Sequence, residues 1–156
     1  MSACHDGLPN AANHAPVLSA INAQTTNEDT AKTVMLEATD EDAGDKLTYS
    51  ATSSTASVTI GVSAATLTLT PAANWNGTAT ITALVNDGTV DSAEQTFTLT
   101  VSAVNDAPVL SAINAQTTNE ATAKSVSLSG SDVDGADVLT YSATSSNSDV
   151  VITVDN

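Results

Sequence analysis

The sequence predicts an all-β chain, a two-sheet Greek-key sandwich repeated in tandem. Three observations carry that prediction. Apolar and polar residues alternate over most of the chain, the pattern of strands with one buried face. Gly, Asn, Asp and Pro collect between the alternating runs, as turns require. The 40 residues from Ala15 to Ser54 return from Ala107 to Ser146 with 30 identities at a constant offset of 92. A repeat of that length is the size of a small sandwich domain.

Residues 1–12 read as a polar, irregular leader, and residues 13–104 as the first repeat. Its opening segment, Val17 to Ile21, is followed by Val34, Leu36 and Ala38 alternating with Thr33, Met35 and Glu37. Leu47, Tyr49 and Ala51 come next, then Val58, Ile60 and Val62, then Leu67 and Leu69. Ala79, Ile81, Ala83 and Val85 form a longer run, and Phe97, Leu99 and Val101 close the repeat. That makes about seven strands, the number a Greek-key sandwich uses. The breaks hold Asp42-Ala43-Gly44-Asp45, Pro71 to Gly77, and Asn86-Asp87-Gly88. No run has a helical period. Val34, Leu36, Leu47, Tyr49, Ile60, Leu69, Ile81, Val85, Phe97 and Leu99 are the expected core.

Residues 105–156 read as an incomplete second repeat, its strands reaching Val150, Ile152 and Val154. At the length of the first, the second copy would end near residue 198. Half a sandwich leaves an apolar face and an open sheet edge in water. Three readings are open: more chain completes it, another subunit supplies strands, or the last segment is disordered.

The chain has 18 acidic residues against 3 basic ones, a net charge of −15. All three basic residues are lysines: Lys32, Lys46 and Lys124. Such a surface repels nucleic acid and anionic membrane, so neither is an expected partner. Cys4 is the only cysteine, which excludes an internal disulfide. No stretch is long and apolar enough for a membrane helix. The first ten residues lack the basic and apolar regions of a signal peptide. Export would therefore imply a signal already removed or a segment of a longer chain.

The acids cluster in the loops. Asp40-Glu41-Asp42 in the first copy corresponds to Asp132-Val133-Asp134 in the second, and Asp45 and Asp137 follow three residues later. Asp-x-Asp sets two carboxylates on one side of a turn, a donor set suited to a hard cation that wants about six to eight oxygens. Glu28 and Glu120 recur early in the copies. Asn105-Asp106-Ala107-Pro108 joins them, and Asp87-Gly88 lies in a late turn. Capping of solvated turns is the plainer account of the same acids.

Together, the Asp-x-Asp loop, early Glu, Asn-Asp-x-Pro junction and late Asp-Gly turn resemble the cadherin-like tandem repeats of bacterial surface proteins and large adhesins. The resemblance covers residues 13–156 and implies an immunoglobulin-like sandwich. It implies calcium held at junctions between repeats, by Glu28, Asn105, Asp106, Asp132 and Asp134, with Asp137 as a helper. It places Asp40, Asp42 and Asp87 at the preceding junction. There His14 stands where the second copy has Asp106, and a neutral imidazole is a poor calcium ligand, so that end should bind weakly or not at all. Ser102 stands where the family's junction has its first Asp.

Cys4-His5 approaches the haem-attachment pattern Cys-x-x-Cys-His, with Met1 where the first cysteine would be. A haem c with His5 as axial ligand and His14 as the second is one reading, and a lipid or disulfide anchor is another. An incidental cysteine in a disordered leader is the preferred reading over both. Nothing supports an enzyme: both histidines lie before the strands, and the many serines have no base within the repeat. Asn76-Gly77-Thr78 fits a glycosylation sequon. The alternating threonines Thr66, Thr68 and Thr70, and Thr96, Thr98 and Thr100, read as ordinary outward-facing strand positions, with ice or sugar binding the remoter alternative.

The expected function is an extracellular, cell-surface structural or adhesive module, its junctions stiffened by calcium and its partners neighbouring repeats or subunits. A surface or polysaccharide ligand would be its adhesion target. The alternative is a subunit of an extracellular filament, joined by strand exchange or through the leader.

Overall fold

The computed structural model describes residues 12–135 and 137–156. Cys4, His5 and nearly all of the expected leader lie outside that range. Among the described residues there are eleven strands and no helix. The chain divides into a first unit ending at Val104 and a second of Asn105–Asn156.

The first unit holds nine strands: β1 (Val17–Leu18), β2 (Gln24–Asn27), β3 (Lys32–Met35), β4 (Ala38–Thr39), β5 (Thr48–Ser53), β6 (Val58–Ser63), β7 (Thr66–Pro71), β8 (Gly77–Asn86) and β9 (Gln95–Ser102). One sheet runs β2-β9-β8-β5, a second β3-β7-β6, and β1 pairs with β4 in a short ladder. All these pairings are antiparallel except β2 with β9, which is parallel. The chain leaves and re-enters each sheet as it advances, the Greek-key habit of sandwiches.

The alternation in sequence becomes a sandwich core. Leu67 and Leu69 from β7, Ile81, Ala83 and Val85 from β8, and Leu99 from β9 are wholly buried. Leu18, Leu36, Val58, Ala79, Phe97 and Val101 complete the buried cluster. Val34, Leu47, Tyr49 and Ile60 of the expected core are half-buried against it, joined by Ile21 and Trp75. The expected strand through Val34, Leu36 and Ala38 is broken in two. β3 pairs with β7 in one sheet while β4 pairs with β1. Between them Leu36 turns into the core, its N–H given to Ala65 O at 2.8 Å. β2 was not anticipated, because Gln-Thr-Thr-Asn offers no apolar alternation. Its place comes from backbone bonding to β9.

Among the described residues of the second unit, a single short ladder forms. β10 (Val109–Leu110) pairs with β11 (Gly130–Ser131), as β1 pairs with β4. The strands expected to follow are not formed. In the first unit β2, β3, β5 and β6 each bond to β7, β8 or β9, and residues 107–156 hold no counterpart of those three. Leu110 and Ile113, equivalents of Leu18 and Ile21, are about half exposed (55% and 48%), against 3% for Leu18.

Candidate metal centre

Each unit builds an acidic loop directly after its short ladder, and the two loops share one hydrogen-bond plan. In the first, Asp42 N–H donates to Asp40 Oδ1 at 2.9 Å, and Asp45 N–H donates to Asp42 O at 3.4 Å. In the second, Asp134 N–H donates to Asp132 Oδ1 at 3.0 Å, and Asp137 N–H to Asp134 O at 3.1 Å. The N-terminal segment of each unit ties onto its loop in the same way. His14 N–H donates to Asp42 Oδ2 at 2.6 Å, and Asp106 N–H to Asp134 Oδ2 at 2.6 Å. These local bonds explain the Asp-x-Asp spacing: the first carboxylate caps the turn and the second anchors the strand that enters it.

In the first unit the late turn adds a third carboxylate. Asp87 is buried. Its Oδ1 accepts from Thr89 N–H at 2.6 Å and Val90 N–H at 2.7 Å, and its Oδ2 accepts from Asn13 Nδ2 at 2.8 Å. Gly88 follows with φ +100, a conformation that L side chains rarely adopt. Asp40, Asp45 and Asp87 then offer carboxylate oxygens all within 4.8 Å of one another, as do Asp132, Asp134 and Asp137 in the second unit.

Electrostatics within the first cluster is uneven. Hydrogen bonds from Val90 N–H and Asn13 hold the Asp87 carboxyl below the ordinary carboxylate range. His14, chiefly through its backbone N–H, does the same for Asp42. Asp45 goes the other way: partial desolvation, then the nearby charges of Asp40, Asp42 and Asp87, push its carboxyl up. Asp40 Oδ2 is buried and has no hydrogen-bond partner. A buried, unpaired carboxylate oxygen beside two further carboxylates suits a hard divalent cation, which supplies the missing counter-charge. Every donor is oxygen, as such ions require. The residues present therefore fit calcium.

The ligand set expected for this end differs from the grouping found. Asp40 and Asp87 come together, but with Asp45 rather than Asp42. The imidazole Nδ1 lies 3.4 Å from Asp42 and Nε2 lies 3.8 Å from Glu41 Oε2. Asp45 carried a visible signal, the recurrence of an acid three residues after each Asp-x-Asp. Of the residues expected at the other end, Asp132, Asp134 and Asp137 do come together in the second unit, where the Asn105 side chain bonds to Asp106 O. Glu28 belongs to the first unit. It is buried there, its Oε1 accepting from Val104 N–H at 2.6 Å and its own N–H donating to Ser102 O at 2.9 Å.

Residues 12–102 match the sequence profile of a family described as cadherin-like domain. No curated protein matches the chain. One similar solved structure is a nucleoside hydrolase-related hypothetical protein from Saccharophagus degradans, described as associated with carbohydrate metabolism. It is 21% identical with a TM-score of 0.47, over 59% of this chain and 26% of that one. Among the described residues, no helix is long and apolar enough to cross a membrane.

Proposed function

The chain belongs to the cadherin-like domain family, and from that premise we propose that it is an extracellular structural or adhesive module whose acidic loops take calcium. The observation that carries this reading is the duplicated acidic loop: in each unit it contributes to a cluster of three carboxylates within 4.8 Å of one another, the first completed by Asp87 of the late turn and the second by Asp134 of the loop itself. Asp40, Asp45 and Asp87 would hold an ion in the first unit, and Asp132, Asp134 and Asp137 in the second. Glu28 in the first unit, and Asn105 and Asp106 in the second, stand outside both groupings. The ion supplies positive charge that offsets carboxylate repulsion and, in the first unit, ties the Asp40–Asp45 loop to the Asp87 turn. The role is mechanical: calcium stiffens the ends of each repeat so that an array holds its reach.

Titration calorimetry on the metal-stripped chain tests this. Calcium is expected to bind and to raise the melting temperature, and Asp40→Asn and Asp132→Asn are each expected to remove part of the heat. No heat and no melting shift would retire the reading.

A second reading, a filament subunit joined by strand exchange, is favoured by the exposure of Val109, Leu110 and Ile113 in the second unit. Those side chains ask for strands to cover them, and a neighbouring subunit is one source.

A further inference from the structure

The second unit repeats the turns of the first although it holds no counterpart of β7, β8 or β9. Ser111 N–H donates to Ser129 O at 2.8 Å, as Ser19 N–H donates to Glu37 O at 2.8 Å. Thr122 N–H meets Asn119 O at 3.2 Å where Thr30 N–H meets Asn27 O at 3.3 Å. Thr118 Oγ1 donates to Thr122 O at 2.9 Å, the counterpart of Thr26 Oγ1 to Thr30 O at 2.9 Å. Ala121 keeps the left-handed φ of Asp29, +55 against +56, a conformation uncommon for a residue other than Gly, Asn or Asp. Residues 107–156 therefore hold the turns of half a sandwich without the strands that close it.

The face so formed is a groove of about 520 Å³, walled by Leu110, Ile113, Leu128, Leu139 and Tyr141. Gly130 N–H donates to the Tyr141 hydroxyl at 2.9 Å and so fixes the ring. The first unit shows what such a groove takes. There Leu18 and Leu36, the equivalents of Leu110 and Leu128, are buried in one cluster with Leu67 and Leu69 of β7, Ile81 and Val85 of β8, and Phe97 and Leu99 of β9.

Main-chain bonding shows which edge is open. In the first unit Val85 N–H donates to Ser92 Oγ at 3.1 Å, and Val85 O accepts from Ser92 N–H at 2.7 Å, so its polar groups face the side of β9. Tyr49 lies opposite Val85. Its main-chain groups therefore point away from β8, and those of Ser50 and Thr52 point toward it. In the second unit the outward groups of the equivalent Tyr141 are already capped. Tyr141 N–H donates to Asn156 Oδ1 at 2.6 Å, and Asn156 Nδ2 donates to Tyr141 O at 3.2 Å. Ser142 and Thr144, the equivalents of Ser50 and Thr52, make no main-chain hydrogen bond among the described residues. The outer edge is closed, and the edge that β8 takes in the first unit is free.

We infer that residues 107–156 are an acceptor for a β-hairpin of the β8–β9 kind, brought by a separate polypeptide. Its first strand runs antiparallel along Ser142 and Thr144, as β8 runs along β5. Its alternate Ile, Ala and Val side chains enter the groove. Main-chain bonds supply affinity and the alternate side chains supply specificity. Turns that are already set lower the ordering cost of docking. A second copy of this chain is a poor donor. Its β8–β9 hairpin is closed over its own first unit, and lending it opens one half-sandwich for each one closed. The proposal rests on the strand-exchange reading above and names the donor by its chemistry.

The test titrates the whole isotope-labelled chain of 156 residues with residues 76–102 of its own sequence, carried on an unrelated soluble protein so that the hairpin stays dispersed. One hairpin is expected to bind per chain, to slow hydrogen exchange across residues 107–156, and to leave the first unit as it was. It should also lower the light scattering of the concentrated chain. A hairpin with Ile81→Asp/Leu99→Asp should not bind. A chain with Leu110→Asp/Leu128→Asp should lose the response while the first unit keeps its melting temperature. Failure of the native hairpin to bind overturns the proposal, as does binding that survives Leu110→Asp/Leu128→Asp. If self-association alone protects the second unit and the hairpin changes nothing, the occupant is a second copy: strand exchange stands and this donor falls. If neither protects it, both fall. Protection seen only when the hairpin is fused after Asn156 assigns the face to a covalent neighbour and also overturns the proposal.

Discussion

The backbone N–H of His14 meets Oδ2 of Asp42 at 2.6 Å. The bond recurs between Asp106 and Asp134 at the same distance, although one entering residue carries an imidazole and the other a carboxylate. A main-chain donor is indifferent to its own side chain, so the loop keeps its shape while its charge changes. That separation of scaffold from charge lets the loop in each unit carry a different charge without differing in fold.

One consequence concerns acid titration. Asp42 and Asp87 are lowered in the folded state. Their stabilising contribution is therefore present above the unfolded carboxylate value, about 3.9, and is lost as pH falls through the folded values. Asp45 is raised, so its ionised form opposes folding and protonating it relieves that cost. Carbon NMR on the metal-free chain should show Asp45 titrating at higher pH than Asp42 and Asp87. His14→Ala should leave Asp42 below the ordinary range, because the backbone N–H is the largest cause. The reverse order of Asp45 and Asp42 would contradict the geometry.

Calcium should separate Asp40 from Asp42. A ligand that binds only the folded state adds about 2.7 kcal/mol at a hundredfold excess over Kd. Asp40 has the unpaired buried oxygen, whereas Asp42 is already held by His14. Asp40→Asn is expected to weaken the calcium-induced melting shift of the first unit more than Asp42→Asn does. Trp75, the chain's one tryptophan, packs on that unit's core and reports its unfolding. Equal effects of the two variants would argue against the Asp40–Asp45–Asp87 grouping.

The core prediction is ordinary and sharp. Leu36 and Leu99 are buried (2% and 0% exposed) in the centre of the sandwich. Truncating either to Ala should cost about 2–5 kcal/mol through lost burial and a residual cavity. Denaturant unfolding followed by Trp75 fluorescence measures it. A cost below that of an ordinary surface change, about 0.5 kcal/mol, would mean the sandwich is packed differently.

Glu28 offers a contrast between repeats. Its buried carboxylate accepts from Val104 N–H at 2.6 Å, while its equivalent Glu120 is exposed. Glu28→Ala leaves that donor without its partner and should cost about 1–3 kcal/mol. Glu28→Gln keeps an acceptor and should cost less. Glu120→Ala should stay within about 0.5 kcal/mol. Thermal melts of the three variants in EDTA make the comparison free of metal effects.

The strands with strong alternation, such as Phe97-Thr98-Leu99-Thr100-Val101, could be read in advance because period two has one physical meaning when one face is buried. β2 could not. Its side chains carry no pattern, and parallel bonding to β9 places it. The break at Leu36 was hidden for a related reason: Val34, Leu36 and Ala38 keep perfect alternation while the chain changes sheets between them. In the acidic loop, Asp40 and Asp42 stood out as a local motif. The grouping of Asp40 with Asp87 depends on a turn 47 residues further on, and local spacing does not report that.

The second unit gives the last prediction. Its sequence nearly repeats the first, yet one two-residue ladder replaces the strands that β7, β8 and β9 organise in the first unit. Identical residues therefore meet different fates: Leu18 is buried at 3% exposure and Leu110 stands at 55%. Apolar surface and open strand edges of this kind drive association. The 156-residue chain is expected to self-associate with rising concentration in light scattering. Hydrogen exchange should be slow in β7, β8 and β9 and fast across residues 111–156 in the dilute chain, with protection of the second unit appearing only as assemblies form. Because net charge opposes contact between copies, salt should promote the association by screening it. A monodisperse monomer with residues 107–156 already protected at low concentration would show that the second unit closes its own core, and the argument from missing strand partners would fail.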